Sequence, residues 1–244
     1  MAQRTTYADL LRDLPRLERA DLDAGSLGRV AARLTDADEV RASGLTPHDL
    51  WIAYRHSGAE LFAPELATAL QHSLAAVPPL PGRTLVLVDT SGSMAAPVDG
   101  NEGVRAFEIG AVFAAAVADA ARRAGGSADL VLYGHDAEPH AIAPTVVRTV
   151  DDVAAHIGEL GHVSELWANA SAWYDGHDRV MVFTDVAEDP ADAPDDVRHW
   201  PCPIYVFDLR GRGRDLDDHR GRRYVFAGFS GRAYRRLALL DAAA

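Results

Sequence analysis

Apolar residues recur at two different spacings along this chain, and the change of spacing divides it. Up to residue 76 the spacing is helical. Leu10, Leu11, Leu14 and Leu17 fall on one face of an amphipathic helix. The same period predicts helices over Tyr7–Ala20, Ser26–Leu34, Pro47–Arg55 and Pro64–Ala76. Pro47 and Pro64 suit a helix's first turn, and Ser26 and Thr46 suit N-caps. Short helices bury little core alone, so this segment reads as a small α-helical repeat array that docks on something else.

Val77-Pro78-Pro79-Leu80-Pro81-Gly82 breaks the period. Prolines this dense cannot continue a helix and stiffen a link. The predicted organisation is therefore 1–76 helical, 77–82 linker and 83–244 a second domain.

In that second part short apolar runs alternate with helical stretches. Thr84–Asp89, Asp129–Tyr133, Arg179–Asp185, Ile204–Phe207 and Arg223–Phe226 read as strands. Ala106–Ala124, closed by Gly125-Gly126, reads as a long helix, and Val150–Leu160, Glu165–Trp173 and Gly231–Leu240 as others. Asp151 and Asp152 would then sit near a helix's positive end. Strand–helix alternation of this kind predicts an α/β fold: a doubly wound, mostly parallel sheet with helices on both faces.

Chemistry gathers at two of the predicted strand ends. Thr84-Leu85-Val86-Leu87-Val88 runs into Asp89-Thr90-Ser91-Gly92-Ser93-Met94, and Val180-Met181-Val182-Phe183 runs into Thr184-Asp185. Open α/β sheets build their sites at the carboxyl ends of strands. A carboxylate and two hydroxyls on one tight loop are hard oxygen donors, suited to a divalent cation, Mg²⁺ first and Mn²⁺ or Ca²⁺ next. The competing reading is a polar strand-end turn in which Asp89 and Ser91 satisfy backbone donors.

Charge and composition narrow the function. The chain has 244 residues, 48% of them hydrophobic, and a formal net charge of -12. That balance opposes nonspecific nucleic-acid binding. Every basic residue is arginine, and nine of the 24 lie between Arg210 and Arg236. Within Arg210–Arg223, Arg212, Arg214, Arg222 and Arg223 are the candidate phosphate or RNA contacts. The alternative is a solvated loop in which Arg222 and Arg223 pair with Asp215, Asp217 and Asp218. Cys202, the single cysteine, reads as a small buried apolar residue. No apolar run is long enough to span a membrane and no signal sequence opens the chain, so a cytoplasmic location is the default expectation.

Enzyme motifs are wanting. There is no Gly-x-Ser-x-Gly elbow at Ser91 or Ser93, and no lysine for a phosphate-binding loop. His135, His140, His156, His162 and His177 lack zinc spacing and read as surface or capping histidines. The expectation is a binding module and not an enzyme.

Asp-x-Ser-x-Ser at a strand end resembles the metal-ion-dependent adhesion site (MIDAS) of von Willebrand factor A (vWA) domains. That resemblance adds a third loop carrying a threonine, which falls at Val163 or Ser164. Only Ser164 could ligate, so the implied metal set is Asp89, Ser91, Ser93, Ser164 and Asp185. Neutral hydroxyl ligands leave the cation under-compensated, so it would seek an acidic oxygen from a partner.

A second resemblance covers most of the chain. Pro81 to Met94 is similar to the domain junction of TROVE proteins, the family of the Ro autoantigen and its bacterial relatives. Ala32-Arg33-Leu34-Thr35-Asp36 and Ala53-Tyr54-Arg55 resemble the last helical repeats of that family. Val182-Phe183-Thr184-Asp185 and Phe226-Ala227-Gly228-Phe229-Ser230 resemble its vWA half. The resemblance implies binding of small noncoding RNA, or of an RNA-processing protein, in a ribonucleoprotein. Most of the expected helical ring is not found in these residues, so a separate helical-repeat chain is an expected partner. The alternative is a metal-dependent protein-interaction module with no direct RNA role.

Overall fold

The computed structural model describes residues 5–56, 61–98, 100–161, 166–185, 194, 197, 199–211, 215–218, 222–228 and 232–243. The chain divides into two units, Met1–Val77 and Pro78–Ala244. Leu80 N–H donates to the Ala120 carbonyl at 3.3 Å, so the end of the proline-rich stretch already belongs to the second unit.

The first unit is helical: α1 (Tyr7–Glu18), α2 (Ala24–Leu34), α3 (Ala37–Ser43), α4 (Pro47–His56) and α5 (Ala63–Ser73). Helices α2, α3 and α4 each pack against α5. Leu14, Leu34, Leu50, Leu66 and Leu70 are fully buried, and the Tyr7 hydroxyl donates to the Leu34 carbonyl at 2.8 Å.

Two sequence expectations need correction here. The N-cap of α2 is Asp23, not Ser26; the Ser26 N–H donates to the Asp23 carboxylate at 2.8 Å. Helix α3 escaped the periodicity because it is only seven residues long. Its ends were nevertheless marked: Asp36 accepts from the N–H groups of Asp38 and Glu39, and Gly44 takes φ 67° just past the last turn.

The second unit holds β1 (Arg83–Asp89), β2 (Pro97–Val98), β3 (Asn101–Arg105), α6 (Ala106–Arg123), β4 (Ser127–Tyr133), β5 (Ala137–His140), α7 (Val146–Ala154), α8 (Leu166–Trp173), β6 (Arg179–Thr184), β7 (Ile204–Asp208), β8 (Leu216–Asp218), β9 (Arg223–Ala227) and a last helix, α9 (Arg232–Ala243). Seven strands form one sheet in the order β5-β4-β1-β6-β7-β9-β8. The five inner strands are parallel, and the edge strands β5 and β8 run antiparallel to their neighbours.

Alternate residues of the central strands serve opposite faces. Leu85, Leu87, Val180 and Val182 share a core with Leu166 and Ala170 of α8. Helix α6 covers the other face. A Cβ placed on Gly110 would lie 3.2 Å from the Val88 side chain and 3.3 Å from that of Phe183, so α6 lies close against β1 and β6. Phe113 of α6 then packs on Phe183, Phe207 and Tyr234, with ring centroids 4.4–4.8 Å apart.

Helix α7 begins four residues before the predicted start. Thr145 caps it by accepting from the Arg148 N–H, and Val146, Val150 and Val153 form its buried face. Asp151 and Asp152 therefore lie in its second half, away from the positive end. His177 is not a surface histidine either. It is buried, accepts the Asp175 N–H at Nδ1 and holds Nε2 3.0 Å from the Asp129 carboxylate. Cys202 is buried, as its composition suggested, and burial pushes its thiol up.

Candidate functional site

The direction of chain winding reverses between β1 and β6. From β1 the chain moves outward to β4 and β5, then crosses back to β6 on the other side of β1. Such switch points leave a crevice outside the carboxyl ends of the two strands. Asp89 ends β1 and Asp185 directly follows β6, so both acids reach this crevice.

Their side chains are linked through the serine loop and Thr184. Asp89 Oδ1 accepts from the Ser91 N–H at 2.8 Å, and Oδ2 accepts from the Thr184 hydroxyl at 2.9 Å. The Ser91 and Ser93 hydroxyls lie 3.1 Å apart, and Ser93 Oγ donates to Asp185 Oδ1 at 2.9 Å. Asp89 is 0% exposed and Ser91 and Asp185 are each 2% exposed, whereas Ser93 faces solvent. The two acids and Ser91 are thus buried, and Ser93, between Ser91 and Asp185, is the member of the cluster open to solvent.

The loop is held by backbone. Thr90 donates to the Tyr133 carbonyl through both its N–H, at 2.7 Å, and its hydroxyl, at 3.1 Å. The Gly158 N–H donates to the Thr90 carbonyl at 2.8 Å. A 3₁₀ turn over Gly92–Ala95 buries Met94 and pins Ser93 between Ser91 and Asp185.

Burial pushes the Asp89 carboxyl above the usual carboxylate range, and the donors from Ser91 and Thr184 offset this only in part. Among the described residues no cationic side chain pairs with Asp89. A buried carboxylate without a counter-ion, beside a second acid and two hydroxyls, forms an all-oxygen donor set that fits a hard dication. Among the described residues no cluster of three or more His, Cys, Asp or Glu side chains could hold a metal, so any cation here would depend on the serine hydroxyls.

The structure thus brings Asp89, Ser91, Ser93 and Asp185 together. Ser164, with Val163 and His162, lies outside the described residues. Two residues absent from the predicted set also reach this cluster. Thr184 was visible in sequence as the polar end of an apolar strand, whereas Arg210 carried no local signal. Arg210 follows β7, and its Nη1 stands 3.4 Å from Asp185 Oδ2.

Two of the four predicted arginine contacts, Arg222 and Arg223, fall among the described residues, and Arg223 is not free to meet a phosphate. Arg223 is buried, and its guanidinium donates to the carbonyls of Val197, Cys202 and Arg222 at 2.9–3.1 Å. It is a strand residue tying β9 to its surroundings, not a phosphate contact. Arg222 donates to the Pro201 carbonyl at 2.7 Å. Arg212 and Arg214 lie outside the described residues. The solvated-loop alternative is corrected as well: Leu216–Asp218 forms an edge strand, and Asp215 pairs with Arg236 at 2.8 Å.

No family model matches this chain, and no curated protein matches it significantly. Among solved structures it is similar to the Deinococcus radiodurans RO (RSR) protein, with a TM-score of 0.75 at 19% identity. That match covers 98% of this chain and 53% of the other, so this chain spans about half the length of that protein. The two share a fold: helices followed by a mostly parallel sheet flanked by helices. Among the described residues no helix is long and apolar enough to cross a membrane.

Proposed function

We propose that this chain is a non-catalytic, Ro-like vWA module. In this reading it holds a divalent cation, Mg²⁺ first, and uses it to capture an acidic oxygen of a partner protein. One observation carries the reading: Asp89, Ser91, Ser93 and Asp185 form one hydrogen-bonded cluster at the switch point, buried at both acids and open at Ser93. Asp89 and Asp185 would hold the cation directly or through water, and Ser91 and Ser93 would hold it as neutral donors. Mg²⁺ keeps exchangeable waters, so one coordination position stays open to a partner's Glu or Asp.

A ribonucleoprotein setting is the second reading. The likeness in fold to the Ro protein over 98% of this chain favours it. The engaged Arg222 and Arg223 and the net charge of -12 speak against a direct RNA contact through that patch.

Calorimetric titration of Mg²⁺ and Mn²⁺ into wild type and Asp89→Ala tests the first reading. Heat of binding that the substitution abolishes supports it, and no binding to wild type overturns it. Anisotropy of a labelled structured RNA, with and without chelator, tests the second. A salt-steep affinity supports a ribonucleoprotein role, and a flat trace removes it.

A further inference from the structure

Arg210 sits where the proposed cation would need Asp185. Its backbone is fixed there. The Arg210 N–H donates to Asp208 Oδ1 at 3.1 Å, and the preceding Leu209 N–H donates to the Thr184 carbonyl at 2.8 Å. The turn after β7 is thereby tied to the end of β6. The side chain is mostly enclosed, at 20% exposure, against an Asp185 side chain at 2%.

The guanidinium is poorly satisfied in this position. Charge-assisted Arg–carboxylate contacts are commonly bidentate at about 2.7–2.9 Å. Here a single Nη1 reaches Asp185 Oδ2 at 3.4 Å, and Asp185 Oδ1 is taken by the Ser93 hydroxyl. Nε is buried with no hydrogen-bond partner among the described residues. A long, single-pronged pair supplies charge balance without a strong bond. It is also the one described cation at the cluster, and a dication on Asp185 would repel it at close range.

We propose that Arg210 is a displaceable counter-ion of the metal site: it neutralises Asp185 in the metal-free protein, and a divalent cation must push it aside to bind. This rests on the reading of the Asp89–Asp185 cluster as a cation site. Arg210 is in this sense an affinity-setting residue, and it offsets the Asp185 charge, though not that of Asp89, when no metal is bound.

The test uses the full chain and Mn²⁺ alone, with free Mn²⁺ read by electron paramagnetic resonance. Arg210→Gln removes the competing charge and should bind Mn²⁺ roughly tenfold tighter than wild type, the equivalent of one charge-assisted contact. Arg210→Lys keeps the charge and should stay near wild type. Asp89→Ala should abolish binding in every background. Equal or weaker binding by Arg210→Gln, still dependent on Asp89, overturns the counter-ion role and leaves the metal site standing. Absence of Asp89-dependent binding in every variant overturns both. A second measurement needs no charge-removing variant: the Arg210 side-chain Nε resonance of wild type, assigned with Arg210→Lys, should shift on Mg²⁺ addition. No shift at saturating, Asp89-dependent Mg²⁺ also overturns the proposal.

Discussion

Thr184 donates its hydroxyl to Asp89 Oδ2 at 2.9 Å, linking residues 95 positions apart at the ends of two adjacent parallel strands. The bond is buried, so removing its donor leaves a carboxylate oxygen short of a partner in a low-dielectric setting. Thr184→Val should destabilise the second unit by about 1–3 kcal/mol and weaken Mn²⁺ binding. Thr184→Ser, which keeps the hydroxyl, should recover most of both. Denaturant melts and Mn²⁺ titration on the two variants check this. Equal losses in Val and Ser variants would assign the effect to packing.

Asp89 is a buried acid whose charge costs stability. Its carboxyl is buried with hydrogen bonds but no cation among the described residues, and burial raises its proton affinity. A group whose folded pKa is raised destabilises the fold once pH exceeds its unfolded value, and the penalty grows until pH passes the folded value. Asp89→Asn keeps the shape and an oxygen for the Ser91 N–H while removing the charge. In metal-free buffer it should raise the melting temperature by about 2–4 °C for each kcal/mol relieved. The same change should remove any stabilisation by Mg²⁺. A thermal melt with chelator and one with excess Mg²⁺ give both numbers.

The sequence showed the β1 and β6 acids and the serine loop because buried parallel strands are unbroken apolar runs that stop abruptly at polar residues. Asp89 and Asp185 needed no tertiary information beyond the alternation that implies a doubly wound sheet. Arg210 could not be found that way. Its approach to Asp185 depends on the turn after β7 lying beside the end of β6, set by the Leu209–Thr184 backbone bond. Strands β5 and β8 were missed for another reason. Ala137–His140 and Leu216–Asp218 are short edge strands with little apolar content, and their pairing is set by neighbours more than by propensity. Arg223 misled because charge density along a chain says nothing of burial; the buried guanidinium is satisfied by carbonyls that only the fold assembles.

His48 gives the first unit an acid sensitivity of its own. It is 6% exposed, and burial, opposed by the Asp49 charge, lowers its pKa to about 4. The unfolded chain takes up a proton near pH 6.5 while the folded one stays neutral to about pH 4. Stability is therefore complete above the unfolded value and falls as pH drops through that window, by about 2 kcal/mol at pH 5. Amide protection factors across Pro47–His56, corrected for the intrinsic slowing of exchange, should fall between pH 7 and 5, and His48→Gln should flatten that dependence.

Gly134 tests how far the site leans on the loop behind it. A Cβ on Gly134 would lie 2.7 Å from the Leu160 carbonyl oxygen, which is the acceptor for the N–H groups of both His135 and Asp136. The Gly134 carbonyl in turn accepts from the Asn169 side chain at 3.1 Å. A methyl group there must push residues 158–161 outward, and Gly158 is the residue whose N–H holds the Thr90 carbonyl. Gly134→Ala should therefore loosen the serine loop without touching any proposed ligand. The expected result is a loss of about 1–3 kcal/mol in stability together with weaker Mn²⁺ binding. Asn169→Ala removes only the side-chain bond to the same loop and should give a smaller loss in both. If Gly134→Ala lowered stability and left Mn²⁺ affinity at the wild-type value, the serine loop would hold its geometry without the Gly158 contact.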